Sequence, residues 1–517
     1  MITNKNKVDK ILVLDFGAQY AHLISRRIRD AGVYSELIPH NTSAEEIKKK
    51  QPSGIILSGG PRSVDDKDAI LCDPEIYRLR IPTLGICYGL QLITHQLKGK
   101  VTRKLKREYG RVSLHIDDKS DLFKDLPEHL ICWMSHADTT ENLPRGFETI
   151  AHTANSSSAA IRHPIKKIFG VQFHPEVAHT EKGSRIIKNF LFEVCGCKSN
   201  WSMKSFIESS VEMIRKQVKE EQVLCALSGG VDSSVTALLI QRAIGNNLTC
   251  IFIDHGLLRK GESEQVVETF KENFKIKMVV VDASKRFLEC LKDVEDPEMK
   301  RIVIGNEFIK VFEEEGRKLG KFQWLAQGTL YPDVIESSGD GSPASKIKTH
   351  HNVGGLPEKL PFKLLEPLRN IYKDEVRKLA SLLEIPKEIV ERHPFPGPGM
   401  AVRVIGAITD EKLRICREAS WILEEELKDR NIYRKVWQSF AVVGDDKVTG
   451  VLGDERNYGY MVTIRIVESV DAMTADWARL PYSVLQDISN RITNEVRGVT
   501  WVTYAISSKP PSTIEPQ

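Results

Sequence analysis

The apolar residues of this chain fall in short unbroken runs, each ending in a small or polar turn and followed by a stretch with helical spacing. Residues 10–16, 54–57 and 81–86 read as buried strands, with helices expected through Ile28 and over 90–97. Short strands are also predicted at 159–161 and 170–173, and a helix over 186–194 closes the unit. This alternation predicts a mainly parallel sheet covered on both faces. A second α/β pattern starts at Val223, with strands predicted at 223–226, 248–253, 278–281 and 322–326. The run His393-Pro394-Phe395-Pro396-Gly397-Pro398-Gly399 breaks both periodicities and marks a boundary. Beyond it, strands at 402–405, 448–452 and 460–467 and helices at 411–427 and 482–496 predict an α+β unit. The polar, proline-rich tail 508–515 has the composition of a frayed terminus.

The ends of two predicted strands carry chemistry. Leu227-Ser228-Gly229-Gly230-Val231-Asp232-Ser233-Ser234 lies between a strand and a helix, where small residues let backbone N–H groups converge on phosphate. The hydroxyls of Ser228, Ser233 and Ser234 add donors. A carboxylate inside an anion site argues for bound Mg²⁺ at Asp232. The run lacks the Gly-Lys-Ser/Thr ending of a P-loop, so a different phosphate chemistry is expected. Upstream, Gly85-Ile86-Cys87-Tyr88-Gly89 places a cysteine in a sharp strand-to-helix elbow, where Gly85 and Gly89 permit close approach of neighbouring chain. His174 is its candidate base and Glu176, two residues on, a carboxylate to orient the imidazole. Taken singly, each of these also fits a bland reading, as a buried cysteine, a core histidine or a structural glycine turn.

Length and charge narrow the rest. A chain of 517 residues is too long for one core and predicts roughly two to four domains. Nine cysteines without paired metal-ligand spacing suit a reducing compartment, and Cys195 and Cys197 have no second pair nearby. No run of about 18 apolar residues predicts a membrane span. The start carries no secretory pattern, so a cytosolic protein is expected. A net charge of +4, without a basic stripe, gives no support for nucleic-acid binding.

Taken together these residues resemble the glutamine-hydrolysing GMP synthases, over essentially the whole chain. The Cys87 and His174 segments and Ser58-Gly59-Gly60-Pro61 resemble the class I glutamine amidotransferase module, and Ser228 to Ser233 the loop of N-type ATP pyrophosphatases. More specific are residues 327–337, 350–357, 392–399 and 509–515. The resemblance implies three parts: an amidotransferase sheet at 1–198, an ATP pyrophosphatase of the adenine-nucleotide α-hydrolase-like kind at 199–395, and an α+β dimerisation and xanthylate-binding domain at 396–517. It implies glutamine, xanthosine 5′-monophosphate and ATP as substrates, Mg²⁺ as the metal, and a homodimer. The alternative is a pyrophosphatase of the same kind modifying another oxo acceptor, such as a tRNA base.

The same resemblance assigns the sites. Cys87, His174 and Glu176 hydrolyse glutamine, with Gly59, Gly60, Tyr88 and Gln91 lining its pocket and N–H groups near Gly60 and Tyr88 as oxyanion donors. Ser228, Gly229, Gly230, Val231, Asp232, Ser233 and Ser234 hold the nucleotide's phosphates, with Asp254, Gly328 and Thr329 against its adenosine. Asp333, Glu336 and Lys348 match lid residues linked to adenylation, and the polar stretch 336–348 is expected to be a mobile segment. Lys509, Ile514 and Glu515 of the tail bind xanthylate, with Gln438 and Asn494 in the same pocket or its support. Trp501 and Ala505 stand where relatives often carry Arg and Asp, which leaves Lys447 or Arg497 as candidate replacement cations.

Overall fold

The computed structural model describes residues 8–18, 20–331, 362–452, 455–469, 472 and 474–517. The chain forms two compact units, 1–205 and 206–517. In the first, strands β1 (Lys10–Asp15), β2 (Tyr34–Pro39), β3 (Gly54–Leu57), β4 (Thr83–Ile86), β5 (Lys100–Ile116), β6 (His129–Asn142), β7 (Glu148–His152), β8 (Ala160–His163) and β9 (Ile168–Val171) build one sheet. Its order is β2-β1-β3-β4-β9-β8-β7-β5-β6. The half from β2 to β9 is parallel, as the unbroken apolar runs require when both faces are covered. Ile11, Leu12, Val13 and Leu14 of β1, and Ile55, Ile56 and Leu57 of β3, have no exposed surface.

The other half of this sheet is antiparallel, from β8 through β6, and extends the parallel core in a way that the apolar runs do not announce. Along β6 buried and accessible residues alternate, the pattern of a strand with one covered face. Cationic and polar residues on the outer face of β5 and β6 break the apolar run that marks the other strands.

The second unit holds two sheets. Strands β10 (Val223–Ala226), β11 (Leu248–Asp254), β12 (Met278–Asp282), β13 (Trp324–Ala326) and β14 (Lys363–Leu365) are all parallel, in the order β12-β11-β10-β13-β14. Strands β15 (Gln438–Leu452) and β16 (Glu455–Glu468) pair antiparallel, with β17 (Asp476–Trp477) and the parallel β18 (Val499–Tyr504) against β16. Helices Asp410–Asp429 and Tyr482–Glu495 cover this sheet. A single apolar core joins the two sheets, from Leu224 and Ile251 to Val462, Ile464 and Ile488.

Two expectations change. Residues 402–405 do not form a strand: Gly399–Arg403 is a 3₁₀ turn, and only Val404 bridges to Val443 of β15. Val402 and Val404 are fully buried, so their apolar run reports burial and not extended pairing. The tail is not frayed either. Lys509 and Ala475 exchange backbone hydrogen bonds of 2.7 and 3.1 Å, and Ile514 is buried with Phe440, Val442 and Val467. Its proline content marks a fixed path that uses few backbone donors.

The segment 393–399 ends on a position only glycine suits. Gly399 has φ +63°, and a Cβ there would lie 2.4 Å from the Leu257 carbonyl oxygen. Gly399→Ala is therefore expected to destabilise the second unit by about 1–3 kcal/mol, read as a lower unfolding midpoint in urea; an unchanged midpoint would contradict this packing.

Candidate active sites

In the first unit, β4 ends at Ile86 and helix Tyr88–Gln96 begins at Tyr88, leaving Cys87 alone to make the turn. Its φ of +53° and ψ of −102° are unusual for a residue with a side chain. The turn is this tight because neighbouring backbones touch. A Cβ on Gly85 would sit 2.4 Å from the Gly89 carbonyl carbon, and one on Gly89 2.4 Å from the Leu57 oxygen. The Cys87 N–H donates to Val171 of β9 at 2.7 Å, which fixes the elbow to the sheet.

His174 follows β9 and reaches the same place. Its N–H donates to the Trp133 carbonyl of β6 at 3.0 Å, and Thr180 Oγ1 donates to its carbonyl at 2.6 Å. Nδ1 lies 2.8 Å from Glu176 Oε1, and the Glu176 side chain is fully buried. Burial opposes charge on this ring, but its hydrogen bonds to Cys87 and then to Glu176 outweigh that and raise the His174 pKa to about 11. These contacts favour the protonated ring beside the sulfur, the partner that activates a cysteine nucleophile. Gln172 Nε2 donates to Cys87 Sγ at 3.7 Å, and the thiol faces the Ser135 carbonyl at 3.8 Å.

The expected pocket residues surround this pair. A Cβ on Gly59 would meet His174 Cε1 at 3.4 Å, and one on Gly60 the Tyr88 ring at 3.1 Å. Tyr88 is buried and donates to the Ile70 carbonyl at 2.8 Å. Gln91 is buried too, and its Nε2 donates to the Asp138 carbonyl of β6 at 3.1 Å. The Tyr20 ring, unremarked in the sequence reading, stands edge-on to His174 with centroids 5.5 Å apart.

In the second unit, Leu227 to Gly230 link β10 to helix Val231–Ile244. Gly229 has φ +76°, and a Cβ there would meet Val266 at 2.5 Å. Hydroxyls knit the loop: Ser228 Oγ and Ser233 Oγ are 3.0 Å apart, and Ser234 Oγ donates to the Gly230 carbonyl at 2.7 Å. Val231 opens the helix, so its N-terminal N–H groups face the loop. Gly328 brings its turn against the helix start, since a Cβ there would meet the Asp232 backbone at 3.2 Å. Thr329 beside it is buried, and its hydroxyl has no hydrogen-bond partner among the described residues. Asp254 closes β11 and accepts from the Gly256 N–H at 2.9 Å.

Asp232 Oδ2 is 2.5 Å from Lys373 Nζ, while its Oδ1 is buried without a hydrogen-bond partner among the described residues. An oxygen-only donor with one free carboxylate atom fits Mg²⁺. Lys373 was missed in the sequence, yet it left a trace. It is the first residue of helix Lys373–Leu382, a cation at the positive end of the helix dipole. Such a placement costs stability unless an anion faces it, and Asp232 does.

Asp333, Glu336 and Lys348 lie outside the described residues. The tail residues come together around a cation that the sequence reading also missed. Arg403, buried between the Phe395 and Phe440 rings, holds Glu515 with two hydrogen bonds of 2.8 and 3.1 Å. Gln438 Nε2 donates to the same carboxylate at 2.5 Å. Arg465 gathers the carbonyls of Ala505, Ser507 and Thr513. Lys509 Nζ donates to the Ala472 carbonyl at 2.9 Å. Asn494 is exposed near the end of its helix, apart from these tail contacts. Of the two candidate cations, Lys447 lies over the Tyr460 ring at 4.3 Å, and Arg497 is exposed, its carbonyl accepting from Arg414.

The raised His174 pKa has a definite sign. Because its folded value exceeds 6.5, its contribution to stability is complete below that pH and fades as pH climbs through the folded value. Glu176→Gln removes one of the charges that hold the proton. The His174 ring proton signal, followed by NMR, should titrate at clearly lower pH in that variant, and an unshifted titration would contradict the assigned geometry.

Comparison with known proteins agrees with this division. Residues 12–194 match the glutamine amidotransferase class-I family, 203–294 the PP-loop domain, and 425–516 the GMP synthase C terminal domain. GMP synthase [glutamine-hydrolyzing] of Carboxydothermus hydrogenoformans is 56% identical over 506 residues, 98% of this chain and 99% of the relative. The proteins of the same name from Bacillus subtilis and Synechocystis sp. are 55% and 53% identical, over 98% and 99% of this chain and 98% and 96% of their own lengths. With relatedness of this degree along the full length, and all three family matches in order, the chain belongs to the glutamine-hydrolysing GMP synthase family.

Proposed function

We propose that this chain is an enzyme that aminates xanthosine 5′-monophosphate to GMP, taking nitrogen from glutamine and driving force from ATP cleaved to AMP and pyrophosphate. The observation that supports this most is the presence in one chain of an imidazolium-backed cysteine elbow and a serine-glycine phosphate loop. The three-part assignment at 1–198, 199–395 and 396–517 follows the same division of labour.

Cys87 sulfur attacks the glutamine amide carbon, and the oxyanion is held by N–H groups near Gly60 and Tyr88. His174 gives its proton to the departing ammonia, and Glu176 keeps the imidazole aligned. Water then attacks the thioester, releasing glutamate and the free thiol. In the second unit the xanthylate C2 oxygen attacks the α-phosphorus of ATP, and pyrophosphate leaves into the loop Ser228–Ser234. Mg²⁺ held by Asp232 would screen the charge of that leaving group. Lys373, already at Asp232, adds a fixed cation beside the loop. Ammonia attacks C2 and AMP departs. Asp333, Glu336 and Lys348 are assigned to adenylation and its lid. Lys509, Ile514 and Glu515 are assigned to xanthylate, with Gln438 and Asn494 in the same pocket or its support and Arg403 as the residue that positions Glu515. The enzyme is assigned to the cytosol as a homodimer formed through its last domain.

A tRNA-modifying reading is not favoured, since relatives named for GMP synthesis span the whole chain. GMP formation from xanthylate and ATP, with glutamine or ammonia as the nitrogen source, tests the assignment. Cys87→Ala should abolish the glutamine-driven reaction and leave the ammonia-driven rate within about twofold; equal loss of both would refute the partition. Lys373→Met should instead slow both reactions alike, by roughly 10²-fold or more. Chelation of Mg²⁺ should stop pyrophosphate release while glutamine hydrolysis persists.

A further inference from the structure

Three histidines stand side by side where β7, β5 and β6 end, on residues that the glutaminase chemistry does not use. His115 of β5 is directly opposite His129 of β6 on one side and His152 of β7 on the other. Residues opposite each other on neighbouring strands project from the same face. The His115 ring centroid is 4.7 Å from that of His129 and 4.8 Å from that of His152. Two carboxylates join them. Glu128 Oε1 lies 3.9 Å from His115 Nδ1, and Asp117 Oδ1 lies 3.6 Å from His115 Nε2.

The distances have a direct reading. His115 Nδ1 and His129 Nδ1 are 3.4 Å apart. A tetrahedral ion with metal–nitrogen bonds of about 2.0–2.1 Å separates its ligand atoms by about 3.4 Å. Glu128, His115 and His129 each offer a ligand atom within 4.8 Å of those of the other two. On the far side of His115, Asp117 Oδ1 lies 3.6 Å from Nε2, too far for a direct hydrogen bond, so it acts on the ring through its charge, which favours hydrogen on Nε2 and a free lone pair on Nδ1. Asp117 is itself anchored, with Oδ2 2.9 Å from His152 Nδ1. Asp117 thus places negative charge behind His115, the electrostatic part of the outer-shell arrangement that raises the basicity of metal-binding imidazoles. Two imidazoles and one carboxylate suit a borderline divalent ion and not Mg²⁺ or Ca²⁺, which take oxygen ligands.

We propose that His115, His129 and Glu128 form a surface site for a divalent transition cation of the zinc class, with water completing the coordination. Asp117 is a positioning residue behind His115. The bound ion ties β5 to β6, and β6 continues to Trp133 and Ser135, whose carbonyls face His174 N and Cys87 Sγ. The ion would hold the outer end of the strand that shapes the glutaminase site.

Titration of the full chain with Co²⁺, followed by its visible absorption and by Zn²⁺ competition, tests the site. The parent protein should bind one Co²⁺ with a spectrum of nitrogen and oxygen ligands. Asp117→Asn should weaken binding by roughly 10- to 100-fold, and His115→Asn and His129→Asn should weaken it more. Zn²⁺ should raise the thermal midpoint of the parent and leave that of His129→Asn unmoved. All three variants should hydrolyse glutamine at the parent rate in metal-free buffer, which shows that they fold. Affinity unchanged by both histidine substitutions, or a thiolate charge-transfer band in the parent complex, would overturn the proposal.

Discussion

A parallel strand that stops and becomes a helix within one to four residues is the constraint on which both reactive centres rest. At Cys87 the reversal takes one residue, and the backbone accepts φ +53° to make it. Such a conformation costs about 1–3 kcal/mol and persists because the surroundings leave no alternative. Side chains at Gly85 or Gly89 would collide with backbone 2.4 Å away, and the Cys87 N–H is committed to Val171. The sulfur is therefore carried by the sheet and not by a loop. Gly229 plays the corresponding part in the second unit, where φ +76° turns the chain from β10 into the helix Val231–Ile244, the proposed phosphate site.

The two centres then face opposite electrostatic tasks. The first must keep a positive ring next to sulfur in a buried setting, and the carboxylate of Glu176 offsets the cost of that burial. The second, on the proposed function, must gather negative charge, and it offers N–H groups, hydroxyls and a lysine, while one oxygen of Asp232 has no hydrogen-bond partner among the described residues. The tail repeats the principle. Arg403 is buried between two aromatic rings, an expensive place for a charge without a partner, and Glu515 supplies that partner. The last residues of the chain are thereby part of the domain and not an appendage.

What could be read in the sequence follows from how far each signal reaches along the chain. Cys87 with its glycines, His174 with Glu176, and the run from Ser228 to Ser234 are local patterns, and each is found where a strand ends. Lys373 and Arg403 are different. Their partners Asp232 and Glu515 are 141 and 112 positions away, so no window of sequence contains the pair. The antiparallel strands β5 and β6 escaped because one accessible face interrupts their apolar run. Val402 and Val404 misled for the opposite reason, being buried in a turn that mimics a strand by hydrophobicity alone. The histidine row depends on strand register, which composition does not encode.

On the proposed mechanism the second centre turns a purine oxygen into a leaving group by joining it to the α-phosphate of ATP. Xanthylate carrying heavy oxygen at C2 follows that atom directly, with mass spectrometry of the products as the readout. The label should leave with AMP, one heavy atom in its phosphate for each GMP formed. Unlabelled AMP, with the heavy oxygen appearing in water, would contradict it.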